Sequence, residues 1–313
     1  MASSSSSSLK IKGIKPLLKW VGGKTQIMAQ IFEKFPDKIQ NYYEPFLGGG
    51  SVLLSLLQND RITLNGEIVV SDINEPLIYL YKNIQADYMN FYECINAIVI
   101  EFKQIALSEA PINRVPANLE EALEHKENYY YWMRSQYNNM TSEQLRSMRG
   151  SAMFLFLNKT CFRGIYRMGP NGFNVPYGHN KNPEIINFEH LQEIHMLIRR
   201  VQFICCSFDD TIQSALTSEC ENSFIYMDPP YVPETSTSFV GYTKNGFNDH
   251  VKLFELCSEL TQHNIKWVLS NSDVEPVRIA FVNEHIETIL CKRRINSKNP
   301  ESVTNEVIIR NWR

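Results

Sequence analysis

Four consecutive residues, Asp228-Pro229-Pro230-Tyr231, combine the groups needed to hold a planar amine. Two successive prolines fix the backbone and carry no N–H, leaving nearby carbonyl oxygens free to accept from a ligand. The Asp228 carboxylate and the Pro229 carbonyl then make a pair of acceptors for an NH2 group, and the Tyr231 ring can stack on the plane that carries it. The tetrad follows the apolar run Phe224-Ile225-Tyr226-Met227. It is therefore expected at a strand's carboxyl end, where open α/β sheets bind ligands. Taken alone, the same residues would also suit an ordinary diproline turn.

Two features give the tetrad company. Glu44-Pro45-Phe46-Leu47-Gly48-Gly49-Gly50-Ser51 reads as a strand, a glycine turn and the start of a helix, the place where a backbone comes close to a nucleoside. The dinucleotide pattern G-x-G-x-x-G fails, because Leu53 stands where its third glycine belongs. Asp72 ends the next strand-like run, Glu67 to Ser71, and is placed to bind two ribose hydroxyls.

Lys19-Trp20-Val21-Gly22-Gly23-Lys24-Thr25 resembles a phosphate loop, yet the Walker pattern needs glycine at 18 and finds Leu18. A nucleoside triphosphate enzyme is thus a weak alternative. Lys24 and Trp20 can instead serve a carboxylate and an adenine or sulfonium, the latter through the electron-rich ring face. A structural turn with a half-buried Trp20 would look the same.

From Asn158 to Lys181 the charged side chains are Lys159, Arg163, Arg167 and Lys181, without an acid, interleaved with Phe162, Tyr166, Phe173 and Tyr177. Such a stretch is a local nucleic-acid footprint, although a solvated basic loop is the plain alternative. Lys292-Arg293-Arg294 to Lys298 is a second basic cluster, of the kind that usually marks a solvated strand end. The net charge of the chain is −3, so any polyanion contact must come from patches.

The elements that would carry these groups alternate. Strand-like runs at 42–46, 67–71, 203–206, 224–227 and 267–270, with helical patterns after the first two, point to a parallel, doubly wound sheet. Residues 286–294 and 305–312, joined by the polar loop 295–301, are expected to pair antiparallel at a sheet edge. The stretch 87–195 is largely helical, rich in tyrosine between 129 and 137, and breaks the rhythm; it reads as an insertion. The expected layout is a serine tract at 1–8 that buries nothing, a catalytic domain from 9–86 and 196–313, and the inserted recognition domain 87–195.

With 313 residues, 43% of them hydrophobic, the chain can bury a sizeable core. Seven cysteines without a C-x-x-C pair suggest neither a disulfide framework nor a zinc site, and Cys205-Cys206, in an apolar run, are expected as small buried hydrophobes. No metal site is expected. No apolar run reaches the roughly 18 residues of a membrane span, so a cytosolic or nuclear protein is expected, or one of a viral factory in a eukaryotic host.

The order of motifs, K-W-x-G-G-K, E-P-F-x-G-x-G-S, D-I-N-x-x-L-I, L-N-K-T-C-F-R-G-x-Y-R with F-N-V-P-Y-G, and D-P-P-Y, resembles the alpha-group, Dam-like (D12 class) DNA adenine methyltransferases of restriction-modification systems. The resemblance spans nearly the whole chain after the serine tract. It implies a Rossmann-like, S-adenosylmethionine-dependent methyltransferase fold with an inserted helical DNA-recognition domain. It further implies that Trp20, Lys24, Glu44, Pro45, Phe46, Gly48, Gly50 and Asp72 line the cofactor pocket, with Asp228 touching both cofactor and target amine. Lys19, Arg163 and Arg167 match positions that face double-stranded DNA, and Asn174-Val175-Pro176 a stretch supporting that region. Arg163 departs from relatives with Asn there, and the F-R-G and G-P-N-G-F-N-V-P-Y-G variants look like enzymes acting on CATG more than on GATC.

The expected chemistry is transfer of a methyl group to the N6 amine of a flipped adenine clamped by Asp228, Pro229 and Tyr231. A monomer or weak dimer is expected, with a cognate endonuclease acting separately if there is one. The rivals are another amine acceptor (cytosine, RNA adenine or glutamine) and a DNA-binding regulator with a decayed site. Asp rather than Ser or Asn before Pro-Pro favours adenine.

Overall fold

The computed structural model describes residues 14–106, 111–218, 220–233, 247–292 and 303–313. Its centre is a seven-stranded sheet: β1 (Tyr42–Glu44), β2 (Ile68–Asp72), β3 (Val201–Cys205), β4 (Phe224–Met227), β5 (Lys266–Ser272), β6 (His285–Lys292) and β7 (Val303–Arg310). Their spatial order is β6-β7-β5-β4-β1-β2-β3. The pairs β1–β2, β1–β4, β2–β3 and β4–β5 are parallel, and β7 runs antiparallel to both β5 and β6. This is a mixed α/β protein with a mostly parallel sheet, consistent with a methyltransferase fold. The winding reverses between β1 and β4, so a crevice opens at their carboxyl ends.

The apolar runs become central strands because both sheet faces are covered. Side chains alternate between two cores. Tyr42, Ile68, Val70, Phe224, Tyr226, Val268 and Ile308 belong to one cluster. Tyr43, Val69, Ile225, Met227, Trp267, Leu269, Val307 and Ile309 belong to the other. Each fully buried aliphatic or aromatic side chain contributes roughly 1.5–3 kcal/mol. The first cluster is covered by α1 (Ser51–Leu57), α2 (Glu75–Ala86), α3 (Tyr88–Gln104), α4 (Lys126–Asn138), α5 (Met148–Thr160) and α6 (Phe188–Ile198); the second by α7 (Phe208–Leu216) and α8 (His250–Gln262).

Within 87–195 the hydrophobic core is continuous with that of the sheet. α5 packs on both α2 and α3 and is buried along most of its length. The tyrosine-rich stretch is core, with Tyr129, Tyr130, Tyr131 and Tyr137 all buried.

Several expectations need correction. β3 starts at Val201 and is an edge strand whose Gln202, Ile204 and Cys205 are exposed, so Cys205 is not a buried hydrophobe and Cys206 is only half-buried. β5 runs on to Ser272, because its buried polar end is hydrogen-bonded. The expected edge pair forms over β6 and β7, while Arg293, Arg294, Lys298 and the loop 295–301 lie outside the described residues, as does the serine tract. Among the described residues no helix is long and apolar enough to cross a membrane.

Candidate active site

Asp228 leaves β4 at the reversal point, and the tetrad is held in place from β5 and β7. Val232 N–H donates to Asn271 Oδ1 (3.0 Å), and Ser272 Oγ donates to Val232 O (2.6 Å), so the residue after the tetrad is fixed through both backbone groups. The Tyr231 hydroxyl donates to Glu306 Oε2 at 2.9 Å. Lys24, only 6% exposed, enters from the loop before the short helix Met28–Glu33: its Nζ lies 2.9 Å from Asp228 Oδ1 and 4.7 Å from the Tyr231 ring centroid, and donates to Gly22 O at 2.9 Å. The ion pair does not use up the carboxylate. Asp228 Oδ1 is shielded from solvent with the Lys24 ammonium against it, and an ionised carboxylate has lone pairs left to accept from a ligand.

Burial pushes the Asp228 carboxyl up to about 6, against the pull of the Lys24 ammonium. Glu44 ends β1 beside it, 1% exposed, and accepts from the Tyr42 hydroxyl at 2.7 Å. Burial, and then the neighbouring Asp228 and Asp72, raise Glu44 to about 8 even though the Tyr42 bond lowers it.

The glycine turn is shaped by its own protein. Gly48 and Gly50 take left-handed φ values of 50° and 75°. Asp72 accepts from Gly48 N (2.9 Å) with one carboxylate oxygen and from Asn74 N (2.9 Å) with the other, tying the turn to the end of β2. A Cβ on Gly49 would lie 2.7 Å from Trp20 Cβ, and one on Gly50 would lie 2.6 Å from the Tyr81 hydroxyl, which donates to Gly49 O at 2.8 Å. The glycines thus let Trp20 and Tyr81 close on the turn. Gly50→Ala combines left-handed strain of about 1–2 kcal/mol with a clash of about 1–3 kcal/mol. Thermal melting should show a drop of roughly 5 °C or more; an unchanged melt would refute this account of the turn.

The other expected residues divide in two. Phe46 is half-buried, stacked on Phe208 at 5.3 Å and edge-on to Phe247, whereas Pro45 is buried. Sequence reasoning missed three residues here. Tyr166 stacks on Trp20 at 5.8 Å, Glu306 binds Tyr231, and Ile73, 70% exposed, stands free directly after Asp72. A large apolar side chain left open beside a polar site is the one of these three that a sequence could have flagged.

In the basic stretch 158–181, Asn158 is 2% exposed and joins two loops. Its Oδ1 accepts from Lys19 N (2.9 Å), and its Nδ2 donates to Lys19 O (2.9 Å) and Gly164 O (3.2 Å). Lys19 and Arg163 are therefore brought together, both exposed. Arg167 is exposed too and donates through Nε to Asn174 Oδ1 at 2.6 Å. The interleaved aromatics are mostly not base-stacking groups: Phe173 and Tyr177 are buried in the core and Tyr166 is half-buried, leaving Phe162 as the exposed ring.

A family profile described as D12 class N6 adenine-specific DNA methyltransferase matches residues 20–295, which include the tetrad, the glycine turn and the recognition loop. The chain belongs to this family. Type II methyltransferase M.MjaIII of Methanocaldococcus jannaschii is 35% identical over 311 residues, covering 96% of this chain and 99% of the relative. The DNA adenine methylase of Haemophilus influenzae is 30% identical over 295 residues (92% and 89%), and the Retron Ec67 DNA adenine methylase of Escherichia coli 30% over 296 (94% and 90%). The protein is thus an adenine-specific DNA methyltransferase with restriction-modification homologues.

Membership implies S-adenosylmethionine as the methyl donor, which supplies an electrophilic methyl group on a sulfonium. The methyltransferase has residues that fit it. Glu44 lies near both Asp228 and Asp72, and of the three Asp228 is the one paired with Lys24, an excess of acidic groups suited to a ligand with ammonium and sulfonium charges. Ile73 and Phe46 offer apolar surface for its base.

Proposed function

We propose that Asp228, Pro229 and Tyr231 hold the target adenine of a short DNA site, turned out of the duplex, for methylation at N6. The observation that carries this reading is the shielded Asp228 carboxylate, held by Lys24 at 2.9 Å at the end of β4, with the Tyr231 ring against the same ammonium. The Asp228 carboxylate and the Pro229 carbonyl accept from the amine, drawing its lone pair out of conjugation, while Tyr231 takes the base plane. Trp20, Lys24, Glu44, Pro45, Phe46, Gly48, Gly50, Asp72 and Asp228 form the cofactor pocket. Asp72 still has acceptor capacity for ribose hydroxyls besides its backbone bonds to Gly48 and Asn74.

Ionised Asp228 is the better acceptor, and its raised value sets the pH dependence. Methyl transfer should fall about tenfold per unit as the pH drops through about 6. Folding stability of the protein without ligands runs the opposite way: raised carboxyls favour the neutral form, so stability is lost as the pH rises through about 6 for Asp228 and about 8 for Glu44. Single-turnover rates and melting curves from pH 5 to 9 check both limbs; a rate flat down to pH 5 would remove Asp228 from the reaction.

Lys19, Arg163 and Arg167 form the DNA-facing surface of residues 87–195 and the loop that Asn158 ties to it. Replacing both arginines, R163A/R167A, should weaken binding to the cognate duplex by roughly 10–100-fold and flatten its salt dependence by about 0.9 for each phosphate no longer neutralised. Binding equal to wild type at 0.15 M salt would remove the assignment. The recognition loop supports CATG over GATC as the site, and the type II relatives support a modification enzyme paired with a separate endonuclease. Modification-sensitive sequencing of DNA from expressing cells reads the site directly.

A further inference from the structure

We propose that Glu306 is a positioning residue for methyl transfer, holding the Tyr231 ring in the orientation that receives the target base; this rests on the reading of Tyr231 as the stacking partner. Glu306 lies on β7, opposite Ser272 of β5, and so is carried by the sheet itself. Its Oε2 accepts from the Tyr231 hydroxyl at 2.9 Å. A tyrosine ring has two side-chain torsions: pinning the hydroxyl fixes the first, and, because the oxygen lies on the axis of the second, the ring plane is restrained by the in-plane preference of the phenol O–H and by the Lys24 ammonium on its face. The ring is then held at three places: its tip by Glu306, its face by Lys24 Nζ at 4.7 Å, and its backbone through Val232 on Asn271 and Ser272.

A carboxylate suits this task because, once ionised, it only accepts, so the phenol donates to it at 2.9 Å, with Asp228 as the other carboxylate near the hydroxyl. The arrangement carries a cost, since Glu306 is a second anion near Asp228 and pushes that carboxyl upward, after the larger effect of burial. Cys291 flanks Glu306 on β6; burial, with Glu306 second, pushes its thiol up to about 12. It therefore stays neutral and adds no further charge. A platform that is rigid before the base arrives spares the reaction the cost of ordering it.

The test compares E306A, E306Q, Y231F and the Y231F/E306A double variant in single-turnover methylation, with cofactor and duplex affinities measured alongside. E306A should lower the rate by roughly 10–50-fold while both affinities stay within about threefold, and E306Q, which keeps an acceptor oxygen, should recover most of it. In the Y231F background the further loss from E306A should be under about twofold, because the hydroxyl through which Glu306 acts is already gone. An E306A rate within twofold of wild type, or an equal loss in the Y231F background, overturns the proposal. Should E306A not melt cooperatively, E306L and its Y231F/E306L double variant take its place: a rate loss in E306L that vanishes in the Y231F background supports the proposal, and a wild-type rate or an equal loss in both backgrounds overturns it. Asp228→Ala separates the two readings, since an inactive D228A beside a fully active E306A refutes only the role of Glu306, whereas an active D228A refutes the clamp.

Discussion

Asp228→Ala is expected to lower the single-turnover rate of methyl transfer by roughly 10³-fold or more, the scale seen when a preorganised polar contact to the reacting group is removed. Duplex binding should persist, because Lys19, Arg163 and Arg167 are untouched. The fold should persist as well. Removing Asp228 takes away a carboxylate that burial already disfavours, and the Lys24 ammonium it leaves keeps the Gly22 carbonyl and the Tyr231 ring as partners. Asp228→Asn, with a neutral acceptor, should retain intermediate activity and lose the acid limb near pH 6, since nothing at that position then titrates. A D228A enzyme with a near-normal rate, or one that no longer melts cooperatively, would contradict this account.

Lys24→Met has the second largest expected effect, and it acts through Asp228. The ammonium is the main group pulling the Asp228 carboxyl down, so removing it lets burial and Glu306 push that group further up. At pH 7 the carboxyl would then be substantially protonated. The rate should fall by roughly 10–100-fold, and the acid limb should move upward by at least about one pH unit. Raising the pH to 8.5 should restore part of the rate, an outcome that loss of cofactor binding alone would not produce. A rate loss with the limb still near 6 would separate Lys24 from Asp228.

The parts of this molecule that were legible are those whose burial follows from local pattern. Phe224 to Met227 are four apolar residues between Ser223 and Asp228, and the strand has those same limits. The glycine turn and Asp72 were likewise placed at the correct strand ends. Legibility failed where burial is decided by distant chain. Asn271 and Ser272 look like a loop, yet they are buried strand residues whose Oδ1 and Oγ bond Val232, about 40 positions away. Phe173 and Tyr177 lie among basic residues and look like stacking groups, but they face the helical core. Composition cannot separate these two uses of an aromatic ring.

Lys24 illustrates the same limit in the site itself. Its residue type suggested a partner of negative charge, and the structure supplies one from within the protein, Asp228, more than 200 residues later. Glu306 had no local signal at all: it is one polar residue in an otherwise ordinary strand, and only its contact with Tyr231 gives it meaning.

The most direct test of the amine clamp is to expose cognate duplex to wild-type and D228A enzymes with methyl-labelled S-adenosylmethionine, digest the DNA to nucleosides and identify the labelled one. The account predicts label in N6-methyladenine alone for the wild type and none above background for D228A. Equal labelling by D228A, or label in a cytosine derivative, would contradict it.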